Sequence, residues 1–141
     1  MPFEAIKDVS YTTSATATGG RQGSVRSEDG VLDLPLGKAG STTVPKANPE
    51  TLFAAGYAAC FSGALNAVAR KRGLDTSAST VTAEVTFGST DTGFGLAVVL
   101  VADIPGVEPE KAHELLEAAH EACPYSKATR GNIEVTVTAP G

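Results

Sequence analysis

At 141 residues the chain is long enough to bury a real core without staples, and a formal net charge of −5 with no basic cluster argues against nucleic acid or an anionic membrane surface as its main partner. Two cysteines are too few for a disulfide scaffold, and the opening MPFEAIKDVS carries charge early and has no apolar run. The expectation is a single domain, 1–141, in the reducing cytoplasm, with its cysteines as thiols.

The elements follow in chain order. Tyr11 to Thr18, rich in β-branched and small residues, predicts a strand; Gly19-Gly20 turns it, and Arg21 to Ser27 returns as a second strand. Asp29-Gly30 makes another turn into VLDLPL, where Val31, Leu32, Leu34 and Leu36 predict a third strand and Pro35 an edge or a bulge. Lys38 to Ala47, with two glycines, a proline and small polar residues, reads as a loop.

The next stretch, NPETLFAAGYAACFSGALNAVARKR, dominates the chain. Asn48 suits an N-cap, Pro49 the first helical position, and Glu50 the first turn, where the helix dipole favours an anion. Arg70, Lys71 and Arg72 favour the other end, and Gly73 can close it. No charge lies between Glu50 and Arg70, and apolar positions run nearly all round, which predicts a helix covered on every side. Its length would suit a membrane span, but Thr51, Ser62, Asn66, two glycines and many alanines make it too weakly hydrophobic, so no membrane partner is expected.

After Gly73 the period changes to two. Val81, Ala83, Val85 and Phe87 alternate with Thr80, Thr82, Glu84 and Thr86 in a half-buried strand, and GSTDTG turns it. FGLAVVLVADI, Phe94 to Ile104, is a strand apolar on both faces at its centre. Pro105-Gly106 ends it, and a helix from Glu108 or Pro109 to Ala122 follows, with Ala112, Leu115, Leu116 and Ala119 on one face. Pro124 stops or restarts that helix, and Asn132 to Thr138 predicts a last strand. The class is therefore α+β with largely antiparallel sheet. A domain this small cannot easily surround an all-round apolar helix, so a homodimer is expected, with the central helices of two copies in contact and the sheets outside.

Cys60 lies in the middle of that helix, and a thiol near its ordinary pKa of about 8.5 is only roughly 3% thiolate at pH 7. Burial alone would make it inert, and the helix N-terminus is too far away to help. Bringing its pKa to about 5.5 requires on the order of 4 kcal/mol of preferential thiolate stabilisation, within reach of a guanidinium in a water-poor site. Arg21, after its Gly-Gly turn, is the candidate. Cys123 ends the apolar face of the second helix just before a proline, where fraying could bring its sulfur to another thiol; its pairing is not readable from sequence. His113 and His120 stand about 10 Å apart along the helix, too far to share an ion with Cys123, so no metal site is expected.

NPETLFAAGYAACF with Cys60, GGRQG with Arg21, and CPYSKATRGNIEVTV with Cys123 resemble the organic hydroperoxide resistance proteins, the Ohr branch of the OsmC/Ohr family, in order and over nearly the whole chain. The resemblance implies an OsmC/Ohr-like intertwined homodimer, antiparallel sheets wrapped around central buried helices, and a thiol peroxidase that reduces organic hydroperoxides to alcohols. It implies Cys60 as the peroxidatic and Cys123 as the resolving cysteine, Arg21 and Glu50 as the pair that orients and activates the site, no bound cofactor, and a dihydrolipoyl dithiol on a partner protein as external reductant. Phe53, Tyr57 and Phe61, on or near the Cys60 face, are candidate walls of an apolar substrate pocket. Gln22, where the family commonly has Asp, and the lack of the usual glycine cluster before Asn48 depart from the pattern.

One inference is geometric. Glu50 and Cys60 are ten residues apart, about 15 Å along an unbroken helix, so if both serve one site Glu50 most simply comes from the partner subunit, with the two helices antiparallel; the alternative is a break near Gly56. Two alternatives stand beside the Ohr reading: an OsmC-branch peroxidase with broader peroxide use, separable by relative rates with alkyl and hydrogen peroxides, and a non-catalytic dimeric protein that binds a small ligand and loses no thiol with peroxide.

Overall fold

The computed structural model describes residues 3–40 and 46–140, in two compact units, Met1–Pro49 and Glu50–Gly141. In the first unit a three-stranded antiparallel sheet, ordered β1-β2-β3, is built from β1 (Ala15–Thr18), β2 (Ser24–Ser27) and β3 (Asp33–Pro35). All three strands are shorter than their sequence pattern. Residues 20–22 form a single turn of 3-10 helix instead of the start of the second strand, so Arg21 stands on that turn. Gly19 and Gly20 enter it with φ of 80° and 70°, and at Gly23 a Cβ would lie 1.8 Å from the Thr18 carbonyl oxygen, so the chain can leave the turn there only as glycine. Pro35 does end an edge strand. Between β2 and β3 the Asp29 carboxylate accepts from Ser27 Oγ (2.6 Å) and Val31 N–H (3.0 Å), bonds that hold it below the usual carboxylate range. Part of the expected 38–47 loop, residues 41–45, lies outside the described residues.

The second unit begins with the long helix, α1 (Pro49–Lys71), continuous through Gly56. Gly73, at φ 72°, closes it while its N–H bonds to the Arg70 carbonyl and Leu74 N–H to that of Ala69. A second sheet follows. β4 (Thr80–Thr90) pairs antiparallel along its whole length with β5 (Gly93–Asp103) through a two-residue turn, Asp91-Thr92, so the strand runs three residues past the expected turn start at Gly88. α2 (Pro109–Ala122) and α3 (Pro124–Thr129) then cross back to β6 (Val135–Thr138), which pairs parallel with β5. Pro124 thus restarts a helix, as the first residue of α3, where its missing N–H costs nothing.

α1 is long and apolar enough to cross a bilayer by length and composition, with a mean hydropathy of 1.5. Here it serves as the core helix: Tyr57, Phe61, Leu65 and Ala69, four residues apart, are buried against Val98, Leu100 and Ala102 of β5 and Leu115, Leu116 and Ala119 of α2. The expectation of cover on every side is not met by this chain. The opposite stripe, Thr51, Ala55, Ala59, Gly63 and Ala67, is exposed, because one sheet and one helix cover a single face.

Candidate active site

The helical repeat decides what surrounds Cys60. It sits between the buried and exposed stripes of α1, half-buried, one turn after Gly56 and three residues after Tyr57. Cys123 is fully buried at the joint where α2 ends and α3 begins; its extended backbone (φ −69°, ψ 122°) caps both helices, donating to the Ala119 carbonyl and accepting from Lys127 N–H. Fixed from both sides, the Cys123 thiol points at Cys60 with its sulfur 3.6 Å from the Cys60 sulfur. Both cysteines are thiols, and a bond of about 2.05 Å needs the sulfurs to close by roughly 1.5 Å, within the reach of side-chain rotation.

Burial pushes the Cys60 thiol up from its ordinary pKa; the backbone N–H of Tyr125 works the other way, and the Cys123 sulfur adds to the upward push. The Tyr125 N–H exists because α3 starts at Pro124 and leaves its first amides unpaired. This donor was missed in the sequence, where Cys60 is mid-helix and far from the N-terminus of its own helix. The CPYS run was the signal: a proline after the cysteine starts a new helix whose open end faces α1.

Tyr125 also completes an aromatic cluster with Phe53 and Tyr57, at centroid distances of 6.3 and 5.7 Å, and Phe53 meets Tyr57 edge-on at 5.9 Å. Gly56 makes room for it: a Cβ there would stand 3.0 Å from the Tyr125 hydroxyl. Of the three expected pocket walls, Tyr57 and Phe61 are fully buried and Phe53 is half-buried; Phe61 turns toward His120 (6.5 Å) in the core. Of the aromatics around the thiols, Phe53 and Tyr125 are the ones with surface to offer a ligand.

Glu50 lies in the first turn of the continuous α1, ten residues before Cys60, so the two stay about 15 Å apart along the helix of one chain. Arg21 belongs to the first unit, on its 3-10 turn. No group of three metal-ligating side chains occurs among the described residues.

His120 lies in the last turn of α2 and is not solvated there. The helix ends two residues later, and α3 folds back against it, leaving the ring half-buried with Nδ1 2.7 Å from Ser126 Oγ. Burial and then the Arg130 guanidinium hold its pKa below 6.5, with Glu121 acting in the opposite sense. A histidine depressed on folding contributes stability above its unfolded pKa and loses it as pH falls through the folded one. The urea midpoint is therefore expected to drop on acidification below about pH 6.5, and the drop should shrink in His120→Asn. His113 is exposed and paired with Glu117 at 3.0 Å.

Residues 40–138 match the family model described as OsmC-like protein. The chain is 47% identical over 132 residues to organic hydroperoxide resistance protein OhrB of Bacillus subtilis (strain 168), over 89% of this chain and 94% of that one. To the organic hydroperoxide resistance protein of Xanthomonas axonopodis pv. citri (strain 306) it is 46% identical over 134 residues, covering 92% and 94%. The crystal structure of an organic hydroperoxide resistance protein from Elizabethkingia anophelis superposes with a TM-score of 0.88 at 50% identity, covering 96% of this chain and 99% of that one.

Proposed function

Because the chain belongs to the OsmC-like family and, within it, to the organic hydroperoxide resistance proteins, we propose that it is a cysteine-based peroxidase that reduces alkyl or lipid hydroperoxides to alcohols. The observation that carries this reading is the pair of thiols 3.6 Å apart, 63 residues apart in sequence, one half-buried and one sealed. In the first step the Cys60 thiolate attacks the distal peroxide oxygen, the O–O bond breaks, and the alkoxide takes a proton and leaves as alcohol, with Cys60 as sulfenic acid. Next the Cys123 sulfur displaces hydroxide from that sulfenic sulfur, giving the disulfide and water. An external dithiol, such as a dihydrolipoyl group on a partner protein, then exchanges with the disulfide and restores both thiols. No bound cofactor or metal is required.

Since local burial raises the Cys60 pKa, the thiolate needs a cation, and Arg21 is assigned that role, with stabilisation of the developing alkoxide. Glu50 is assigned to orienting Arg21 in the site of the partner subunit, since its own Cys60 is out of reach. The exposed stripe of Thr51, Ala55, Ala59, Gly63 and Ala67 supports that homodimer, because small side chains let a second α1 approach closely. Phe53 and Tyr125 would contact the apolar substrate, backed by Tyr57 and Phe61, which suits organic over hydrogen peroxide. A reducing cytoplasm suits a resting dithiol.

The test is a free-thiol count with intact mass on reduced protein after one equivalent of cumene hydroperoxide. Wild type is expected to lose both thiols and the mass of two hydrogens, while Cys123→Ser gains one oxygen and stalls as the sulfenic acid. Survival of both thiols in wild type would end the peroxidase reading and turn attention to a binding role.

A further inference from the structure

Four side chains behind the thiols form one buried hydrogen-bond chain. His120 Nδ1 is 2.7 Å from Ser126 Oγ, Ser126 Oγ is 2.9 Å from the Tyr57 hydroxyl, and that hydroxyl is 3.1 Å from Thr129 Oγ1. Thr129 Oγ1 in turn donates to the Ser126 carbonyl at 3.1 Å. Tyr57 and Ser126 are fully buried and Thr129 nearly so, so no partner can be left unmade cheaply.

Each hydroxyl has one proton, which fixes the direction of the chain. Thr129 gives its proton to the carbonyl, so it must accept from Tyr57. Tyr57, having given its proton to Thr129, must accept from Ser126. Ser126, having given its proton to Tyr57, must accept from His120. All four bonds coexist only when His120 carries its proton on Nδ1.

The chain spans three helices, Tyr57 on α1, His120 on α2, and Ser126 with Thr129 on α3. α3 carries the Tyr125 N–H that reaches Cys60, and Cys123 is the joint from which α3 starts. A second tie joins the same elements, from Arg130 Nη2 to the His120 carbonyl at 2.7 Å. We infer that His120 is a positioning residue for the dithiol, which as an Nδ1–H donor, through Ser126 and Tyr57, holds α3 so that the Tyr125 N–H and the Cys123 sulfur stay on Cys60. This rests on the dithiol chemistry proposed above only for its catalytic consequence.

Protonation should not break the relay, because the imidazolium keeps its Nδ1 proton. The charges around the ring are Glu114, Glu117 and Glu121 of α2, Arg72 just past the end of α1, and Arg130 just past α3; Phe61 covers it from α1 without charge. None of them competes for Nδ1, which Ser126 holds.

The first experiment needs no peroxide. Long-range proton–nitrogen spectra of uniformly labelled reduced protein at pH 8 are expected to show His120 protonated at Nδ1 and bare at Nε2; the reverse tautomer overturns the inference. The second measures closure of the Cys60–Cys123 disulfide, both after a single turnover of cumene hydroperoxide and at equilibrium with oxidised dithiothreitol. His120→Leu and Ser126→Ala are expected to slow closure and lower the effective molarity of the pair by roughly tenfold to a hundredfold, the cost of misplacing a reacting atom by about 1 Å. His120→Asn, whose amide N–H can stand where Nδ1–H does, should recover most of it, and wild-type closure corrected for thiolate fraction should not change across the histidine titration. Wild-type closure in His120→Leu or in Ser126→Ala overturns the inference. If wild type ignores peroxide while the dithiothreitol arm behaves as stated, the peroxidase proposal falls and the relay stands.

Discussion

Cys60→Ser is expected to abolish consumption of organic hydroperoxide, with a loss of more than about a thousandfold, as for removal of an enzymic nucleophile. In the mechanism proposed above the thiolate attacks the peroxide oxygen, and a serine hydroxyl at the same place is not ionised at neutral pH. The substitution should not disturb the fold. Cys60 is only half-buried, serine is close in size, and its oxygen can take the Tyr125 N–H in place of sulfur. Peroxide consumption with dihydrolipoamide as reductant, beside a urea melt, separates the two effects. A folded Cys60→Ser protein keeping a tenth of wild-type activity would place the chemistry elsewhere.

Arg21→Ala is the second large effect. Burial raises the Cys60 pKa and so lowers its thiolate fraction, and a cation that opposes this while holding the developing alkoxide is expected to matter by roughly 10²–10³. The loss should shrink as pH rises and the uncatalysed thiolate fraction recovers. Arg21→Lys should restore only part, because the ammonium lacks the planar fork that can hold an alkoxide and a carboxylate together. The main-chain turn should survive in both variants, since it is fixed by the glycines at 19, 20 and 23 and not by the arginine side chain. An unchanged pH–rate profile in Arg21→Ala would remove the arginine from the mechanism.

Much of the second unit was legible because its signals are local. Gly73 closes α1, Pro109 opens α2, and the period-two run from Thr80 marks β4, each within a residue or two of its place. The first unit was read less well. Its β-branched residues suggested longer strands than Ala15–Thr18 and Ser24–Ser27, and the 3-10 turn at Arg21 is imposed by the backbone contact between Gly23 and Thr18, which no periodicity reports. At the site, the cysteines and the aromatics were found by type and context. The Tyr125 amide and His120 were not, because both depend on α3 turning back on α1 and α2. A six-residue helix started by one proline is too short to leave a pattern. The covered face of α1 was overstated for a similar reason: composition reports how apolar a helix is, and not which chain covers it.

The parallel pairing of β6 with β5 has a consequence for how the molecule is made. Parallel neighbours need a crossover between them, and here the crossover is α2 and α3, with Cys123 at their joint. On a growing chain Cys60 therefore emerges 63 residues before its partner, and the strand that anchors the crossover follows every other described element. During synthesis Cys60 is then a lone thiol, and on the proposed mechanism its resolving partner reaches it only when β6 docks and fixes the crossover.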